Sequence, residues 1–388
     1  MVAPSKVFEW PLNRVHCSGF LHSLPNQSCT EAFIWNLYRN HVSSAKYYLP
    51  VLLVPLVLNY RKLSKNHVWS IVKNYLQTLG IGSTINALVF YWMCICRRLC
   101  GRFVWGLVPF LSCCLGAQII WWAPPKVLQF YSTGIIHAAI EAMMRQLDVG
   151  LVHSHAARTL VFMMCSLAVL RLQQAQAYSG FWFIKPALLP DDYPKWSLEQ
   201  RVRDSLLELR TYLGIGLALD LLSAIMRKRI RRINLKSTSF MISYMGIYRM
   251  IQCVLAGRME PRHTNLLAAF LSGGAFWFVS HIPLTLMSFS VVTASQVLWQ
   301  EFCAQDVSKS KLLAKLQRLP WSKLLIPPSL GFLVHSLLFQ GHVINGLARS
   351  FINRTCDSNA QRIVDFLLLP EETILTKVSS ISIMPFLF

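Results

Sequence analysis

The side chains best placed to do chemistry are ionisable groups inside apolar stretches. Glu141 and Arg145 stand four residues apart, which puts them on one helix face and within pairing reach. His137 lies one turn earlier. An ionisable group inside an apolar run is costly, and so is a candidate for a proton relay or a gate. The corresponding stretch later in the chain holds Gln296 and Gln300, which do not titrate. A relay calls for titratable groups in both places. A structural ion pair is therefore the leading reading of His137, Glu141 and Arg145, with transport or gating as the alternative. Asp220, His281 and His335 are isolated and read as interfacial or satisfied polar positions.

The chain has 11 cysteines. Cys94, Cys96, Cys113, Cys114, Cys165 and Cys253 sit within apolar runs and read as small hydrophobes. His16, Cys17, His22 and Cys29 cluster outside those runs. Their spacing fits no standard zinc pattern. A metal, a disulfide and no link at all stay open for them, and no metal or cofactor is assigned. There is no Gly-rich phosphate loop, no HExxH and no nucleophile elbow. Asp191-Asp192 reads as a solvated turn. No catalytic residue is expected, and the chain is read as non-enzymatic.

Composition says what must position these groups. Apolar and aromatic types make up 54% of the chain and charged residues only 14%, against about 25% charged in ordinary soluble domains. A soluble protein this apolar could not cover its surface. The expectation is an all-α, polytopic membrane helix bundle, not a secreted factor or a cytosolic enzyme. The 38 basic against 17 acidic residues give a net charge of +21. In a membrane chain that excess marks loops held at an anionic leaflet, and no nucleic-acid partner is expected. The densest group is Arg227, Lys228, Arg229, Arg231 and Arg232, just after an apolar stretch. It suits contact with anionic lipid headgroups or docking to a membrane-protein targeting receptor. The first thirteen residues lack an apolar core, so no cleaved secretory signal is expected.

Charge-free runs at 74–96, 103–125, 263–300 and 324–348 predict spanning helices, since a crossing needs about 20 apolar residues. The 263–300 run is long enough for two, broken at His281-Ile282-Pro283. Weaker candidates bring the expected total to about eight to ten. One of them, 47–60, carries Pro50 and Pro55 and could be half-inserted.

An internal repeat orders these segments. Ser83-Thr84 recurs as Ser237-Thr238, Gly101-Arg102 as Gly257-Arg258, Gly116 as Gly273, and Pro125 as Pro283. The separations rise slowly along the chain, as small insertions would produce. Each unit is a preceding helix, a helix ending at Gly-Arg, a glycine-bearing helix, a proline turn and a fourth helix, followed by a fifth apolar segment. Two related halves of this kind are common in membrane transport folds. Small residues four apart let helix backbones approach closely. Ser112 and Gly116 supply this in one half, and Ala269 and Gly273, with Gly274, in the other. The predicted organisation is a Cys/His-containing N-terminal segment (1–40), a first membrane repeat (41–173), a connector (174–205), a second repeat (206–348) and a C-terminal tail (349–388).

Residues 48–173 resemble the transmembrane protein 135 family, also called peroxisomal membrane protein 52. The residues that carry this are the His16-Cys17 to Cys29 segment, like the family's Cys-rich N-terminus, and Tyr60-Arg61-Lys62-Leu63 at a helix end. Cys96-Arg97-Arg98-Leu99-Cys100-Gly101-Arg102-Phe103 and the Glu141/Arg145 pair add to it. Leu266 to Gly273 resembles the family's second half. That piece is also distantly similar to the mitochondrial inner-membrane translocase channel superfamily. The likeness does not extend to the connector or to the segment after Arg349.

The resemblance implies residence in peroxisomal and mitochondrial membranes. It implies a role in peroxisomal and lipid metabolism and in the balance of mitochondrial fission and fusion. The partners it implies are membrane lipids, a peroxisomal membrane-protein import receptor and mitochondrial fission factors. The family has no established enzymatic activity, so no catalytic residue carries over. Two other functions fit the same sequence. One is a carrier or channel for a lipid or small metabolite. The other is a scaffold that recruits fission machinery.

Overall fold

The computed structural model describes residues 13, 15–22, 24, 27–58, 64–178, 180–190, 192–226, 234–279, 283–304, 311–369 and 373. Helix dominates, and no strand occurs among the described residues. In chain order the α-helices of eight or more residues are α1 (Cys29–Tyr47), α2 (Leu49–Leu58), α3 (Lys65–Cys100), α4 (Val108–Gly116), α5 (Pro125–Gln146), α6 (His155–Gln174) and α7 (Leu198–Met226). They continue with α8 (Lys236–Leu255), α9 (Pro261–Ser272), α10 (Pro283–Ala304), α11 (Lys311–Arg318), α12 (Trp321–Phe339), α13 (Gly346–Thr355) and α14 (Asn359–Leu367).

Local chemistry sets the ends. Ser28 and Glu31 form a reciprocal capping box on α1, with Glu31 N donating to Ser28 Oγ at 3.2 Å and Ser28 N to Glu31 Oε2 at 2.8 Å. Ser64 and Ser154 cap α3 and α6 through their hydroxyls. α3 stops at Gly101, whose φ of 66° only glycine adopts at little cost. Gly257, after α8, has φ 77°.

Three described helices are long and apolar enough to cross a membrane: α3, α6 and α12. The expected eight to ten are not matched by that measure. The 103–125 run shows why. It folds as the nine residues of α4 and a six-residue 3-10 segment, Ala117–Trp122. Together these reach about 25 Å, short of a hydrocarbon core of about 30 Å. The 263–300 run divides in the same way into α9, the 3-10 segment Gly273–Phe278 and α10. α2 has ten residues, or about 15 Å.

The chain forms two compact units. The first takes the described residues up to Gln146 together with those from Pro320 onward. In it α1 packs on α3, α3 on α4, α4 on α12, and α12 on α5. The second unit is Leu147–Leu319. There α7 packs on α8, α8 on α9, α9 on α6, and α6 on α10.

These units divide the chain elsewhere than the predicted halves. α6, assigned by sequence to the first repeat, lies in the second unit, and α12, assigned to the second, lies in the first. Of the predicted C-terminal tail, the described residues 349–369 pack against the first core. Ile352 of α13, Cys356 at its C-cap, and Ile363 and Phe366 of α14 join the first core, and the Phe366 ring stacks on Phe20 at 5.2 Å. The connector also contributes to a core, because Trp182, Ile184 and Tyr193 are buried.

Candidate functional site

Glu141 sits on the buried face of α5 and is fully removed from solvent. Arg145 Nη2 donates to Glu141 Oε1 at 2.6 Å, one turn along the same helix. The second carboxylate oxygen accepts from the side-chain amide of Asn345. Asn345 is the N-cap of α13, and its Oδ1 accepts from Ala348 N at 2.6 Å. One amide therefore joins the Glu141 carboxylate to the start of α13. A buried charge requires such partners. His137 Nδ1 stands 2.6 Å from the Thr133 carbonyl, one turn back along the same helix. The sequence reading found Glu141, Arg145 and His137 but not Asn345, which carries no motif of its own. The arrangement fixes one helix to another, as a structural ion pair does.

A second site gathers Cys17, His22, Cys29 and Cys94, whose ligand atoms all lie within 4.8 Å of one another. Cys17 belongs to the 3-10 turn Cys17–Gly19, Cys29 opens α1, and Cys94 comes from α3. Cys17 Sγ is 3.8 Å from Cys29 Sγ, and Cys94 Sγ is 3.6 Å from His22 Nε2. The other ring nitrogen of His22, Nδ1, is 2.9 Å from the Gln27 carbonyl. His16, grouped with these residues by sequence, caps the turn by accepting from Ser18 N at 3.4 Å, and its Nδ1 also stands 4.0 Å from Cys17 Sγ. A hydrogen bond with the Cys94 thiol holds the Cys17 thiol far below its ordinary range, with His16 and His22 adding to the effect. Burial raises Cys29, and the neighbouring Cys17 charge raises it further. Sequence reading took Cys94 for an apolar filler because its neighbours in the run are apolar.

In the second unit a buried network surrounds Arg249. It pairs with Glu208 and donates from Nη1 to Gln252 Oε1 at 3.0 Å. Gln252 passes a bond to Asn265 Oδ1 at 2.7 Å, and Glu208 accepts from Ala187 N at 2.8 Å. A second chain runs from Trp182 Nε1 to Tyr244 OH (2.7 Å), to Ser166 Oγ (2.6 Å) and to the Ala269 carbonyl (2.6 Å). Its direction follows from its ends, since indole only donates and a carbonyl only accepts. Asp220, read as interfacial or as a satisfied polar position, is hydrogen-bonded on both carboxylate oxygens. Its carboxylate accepts from Ser237 N (3.0 Å), Thr238 N (2.9 Å) and Thr238 Oγ1 (2.7 Å), at the start of α8. The same unit holds a groove of about 810 Å³ among α6, α9 and α10. Met164, Ala168, Leu266, Phe270 and Leu298 line it, with Arg171 and His263 at its charged or basic positions.

The small residues do not all pack. A Cβ on Gly116 would stand 2.9 Å from Val89 N, so α4 lies against the α3 backbone there. One on Gly273 would stand 2.7 Å from Met163 Cα of α6. Ser112 and Ala269 are buried beside these contacts. Gly274 faces open space, which removes it from the packing set. Its glycine neighbour, one residue earlier, takes the close side of the turn. Arg227, Lys228, Arg229, Arg231 and Arg232 lie outside the described residues, as does His281. No protein family, curated protein or solved structure matches this chain.

Proposed function

We propose that the chain is a non-enzymatic multi-pass protein of peroxisomal and mitochondrial membranes, built from two related halves, that acts in lipid handling and in the fission–fusion balance. The organelle assignment rests on the family resemblance. The repeated architecture rests on one observation. The packing order α1, α3, α4, α12, α5 in the first unit has a counterpart in α7, α8, α9, α6, α10 in the second. Each series has a left-handed glycine (Gly101, Gly257), a 3-10 segment after the short helix, and a helix that starts at proline (Pro125, Pro283). In this reading the fifth helix of each half, α6 or α12, is exchanged into the other unit.

Tagged full-length protein, followed by fractionation and imaging with organelle markers, tests the placement. Co-migration with peroxisomal and mitochondrial markers is the expected result, with altered mitochondrial length and lipid content when the protein is lost. Confinement to another compartment, with unchanged organelles on its loss, would reject it.

A carrier for a lipid or small apolar metabolite is the second reading. It is favoured by the groove of about 810 Å³, a size within the range of small-molecule sites. Reconstitution into vesicles with a fluorescent phospholipid is the direct assay. Transbilayer movement no faster than in protein-free vesicles, for lipids and candidate metabolites alike, would leave only the first reading.

A further inference from the structure

We propose that Cys17, His22, Cys29 and Cys94 form a structural zinc site of the Cys3His type. Four donors from three separate parts of the chain converge: a 3-10 turn, the loop and first residue of α1, and the last turns of α3. Zinc holds thiolates at about 2.3 Å and imidazole nitrogen at about 2.0–2.1 Å in a tetrahedron. The edges of that tetrahedron are about 3.8 Å between sulfurs and about 3.5 Å between sulfur and nitrogen. The observed edges are 3.8 Å for Cys17–Cys29 and 3.6 Å for Cys94–His22. All remaining pairs lie within 4.8 Å, so closing them on an ion needs shifts of no more than about 1 Å.

The surroundings support a metal more than a disulfide. His22 presents Nε2 to the sulfurs while Nδ1 faces the Gln27 carbonyl at 2.9 Å. That backbone contact is the outer-shell partner that fixes the tautomer of a ligating histidine. A disulfide would use two of the three sulfurs and leave the third beside an oriented imidazole with no role. Three thiolates and one neutral imidazole around Zn²⁺ carry one net negative charge. Four protein ligands leave no open position, so the site is closed and structural rather than hydrolytic. It would tie residues 15–22 and the start of α1 to α3. Elsewhere the same segment is held by Phe103 N donating to the Asn13 carbonyl (2.8 Å) and Arg97 Nε to the Val15 carbonyl (2.8 Å).

Elemental analysis of the full-length protein, purified in detergent without chelator and exposed to zinc chloride, tests the proposal. The expected content is about one zinc per chain. Cobalt(II) in its place should give thiolate charge-transfer and tetrahedral ligand-field bands. Cys94→Ser and His22→Ala should reduce bound metal at least tenfold, because each removes one of the four donors to the ion, while Cys96→Ser, in the same helix but outside the cluster, should keep it. Should the first two variants fail to fold, His22→Cys decides. It preserves four ligands, retains zinc, and shifts the cobalt bands toward an all-thiolate set. Folded wild-type protein without stoichiometric zinc would overturn the site. So would unchanged zinc in Cys94→Ser, a zinc-free but folded His22→Cys variant, or a Cys17–Cys29 disulfide in non-reducing peptide maps.

Discussion

Glu141 and Asn345, 204 positions apart in sequence, share a hydrogen bond in the core of the first unit. Asn345 gives its amide hydrogen to the carboxylate and its oxygen to the first turn of α13. Glu141 therefore does two jobs. It neutralises Arg145 along α5, and it orients the residue that caps α13.

The three partners should differ in what their loss costs. Arg145→Met strands a fully buried carboxylate, and breaking a buried pair in this way costs about 3–5 kcal/mol. Glu141→Gln should be milder, about 1 kcal/mol, because the Arg145 side chain is 35% exposed and can be solvated. Asn345→Ala loses both a charged hydrogen bond and a cap, for about 2–3 kcal/mol. Melting temperatures in detergent should fall in the order Arg145→Met, Asn345→Ala, Glu141→Gln. A Glu141→Gln protein less stable than Arg145→Met would contradict the network as drawn.

Much of this was legible in the sequence, and the gaps have a common cause. The i, i+4 spacing of Glu141 and Arg145 states their contact because a helix fixes it locally. Gly101 and Gly257 mark helix ends because left-handed backbone selects glycine. Asn345 and Cys94 were not found. Each acquires its role from a partner far along the chain, and periodicity carries no such information. The run 103–125 was misread for a different reason. Apolarity says that residues avoid water, not that they do so in one uninterrupted helix. The close approach of Gly116 to Val89 and the turn into 3-10 geometry are tertiary features.

The packing glycines should separate cleanly from the open one. Gly116→Ala and Gly273→Ala place a methyl group against backbone atoms of a neighbouring helix, and such overpacking costs about 1–3 kcal/mol. Gly274→Ala meets nothing and should be neutral or stabilising by about 0.4–1 kcal/mol. Thermal scans of the three single variants, side by side, make the comparison.

Gly101 and Gly257 should behave as a pair. Neither site crowds an added Cβ closer than 3.7 Å, so alanine costs only the left-handed backbone, about 1–2 kcal/mol. Asparagine, which tolerates that region, should cost less. Equal stability of alanine and asparagine variants at both positions would show that the turns relax out of the left-handed conformation.

Asp220 supplies from α7 the cap that α8 lacks. Leu235 precedes α8 and offers no side-chain acceptor, while Asp220 receives the backbone N–H groups of Ser237 and Thr238. Asp220→Ala should destabilise the second unit by about 2 kcal/mol, and Asp220→Asn by less. Amide hydrogen exchange at residues 236–240 should speed up in the alanine variant while the α3 amides keep their protection. Uniform acceleration across both units would mean that the residue supports the whole chain and not this helix start.

The groove among α6, α9 and α10 offers the sharpest division between the two functional readings. Its lining is mostly apolar, with Arg171, His263 and Ser295 as exceptions, and the first two already have carboxylate partners, Glu301 and Glu260. An acyl chain or similar apolar ligand fits that chemistry; a polar metabolite would find few free donors. Ala168 lines the groove, so Ala168→Trp fills space without entering a packed core and should leave the stability within about 0.5 kcal/mol of wild type. If the groove carries lipid, this variant should co-purify with markedly less phospholipid and lose most transbilayer flux. If the protein instead works through partners at the membrane surface, Ala168→Trp should restore normal organelle shape in cells lacking the protein. A variant that keeps full flux, with tryptophan seated in the groove, would remove this cavity from any transport route.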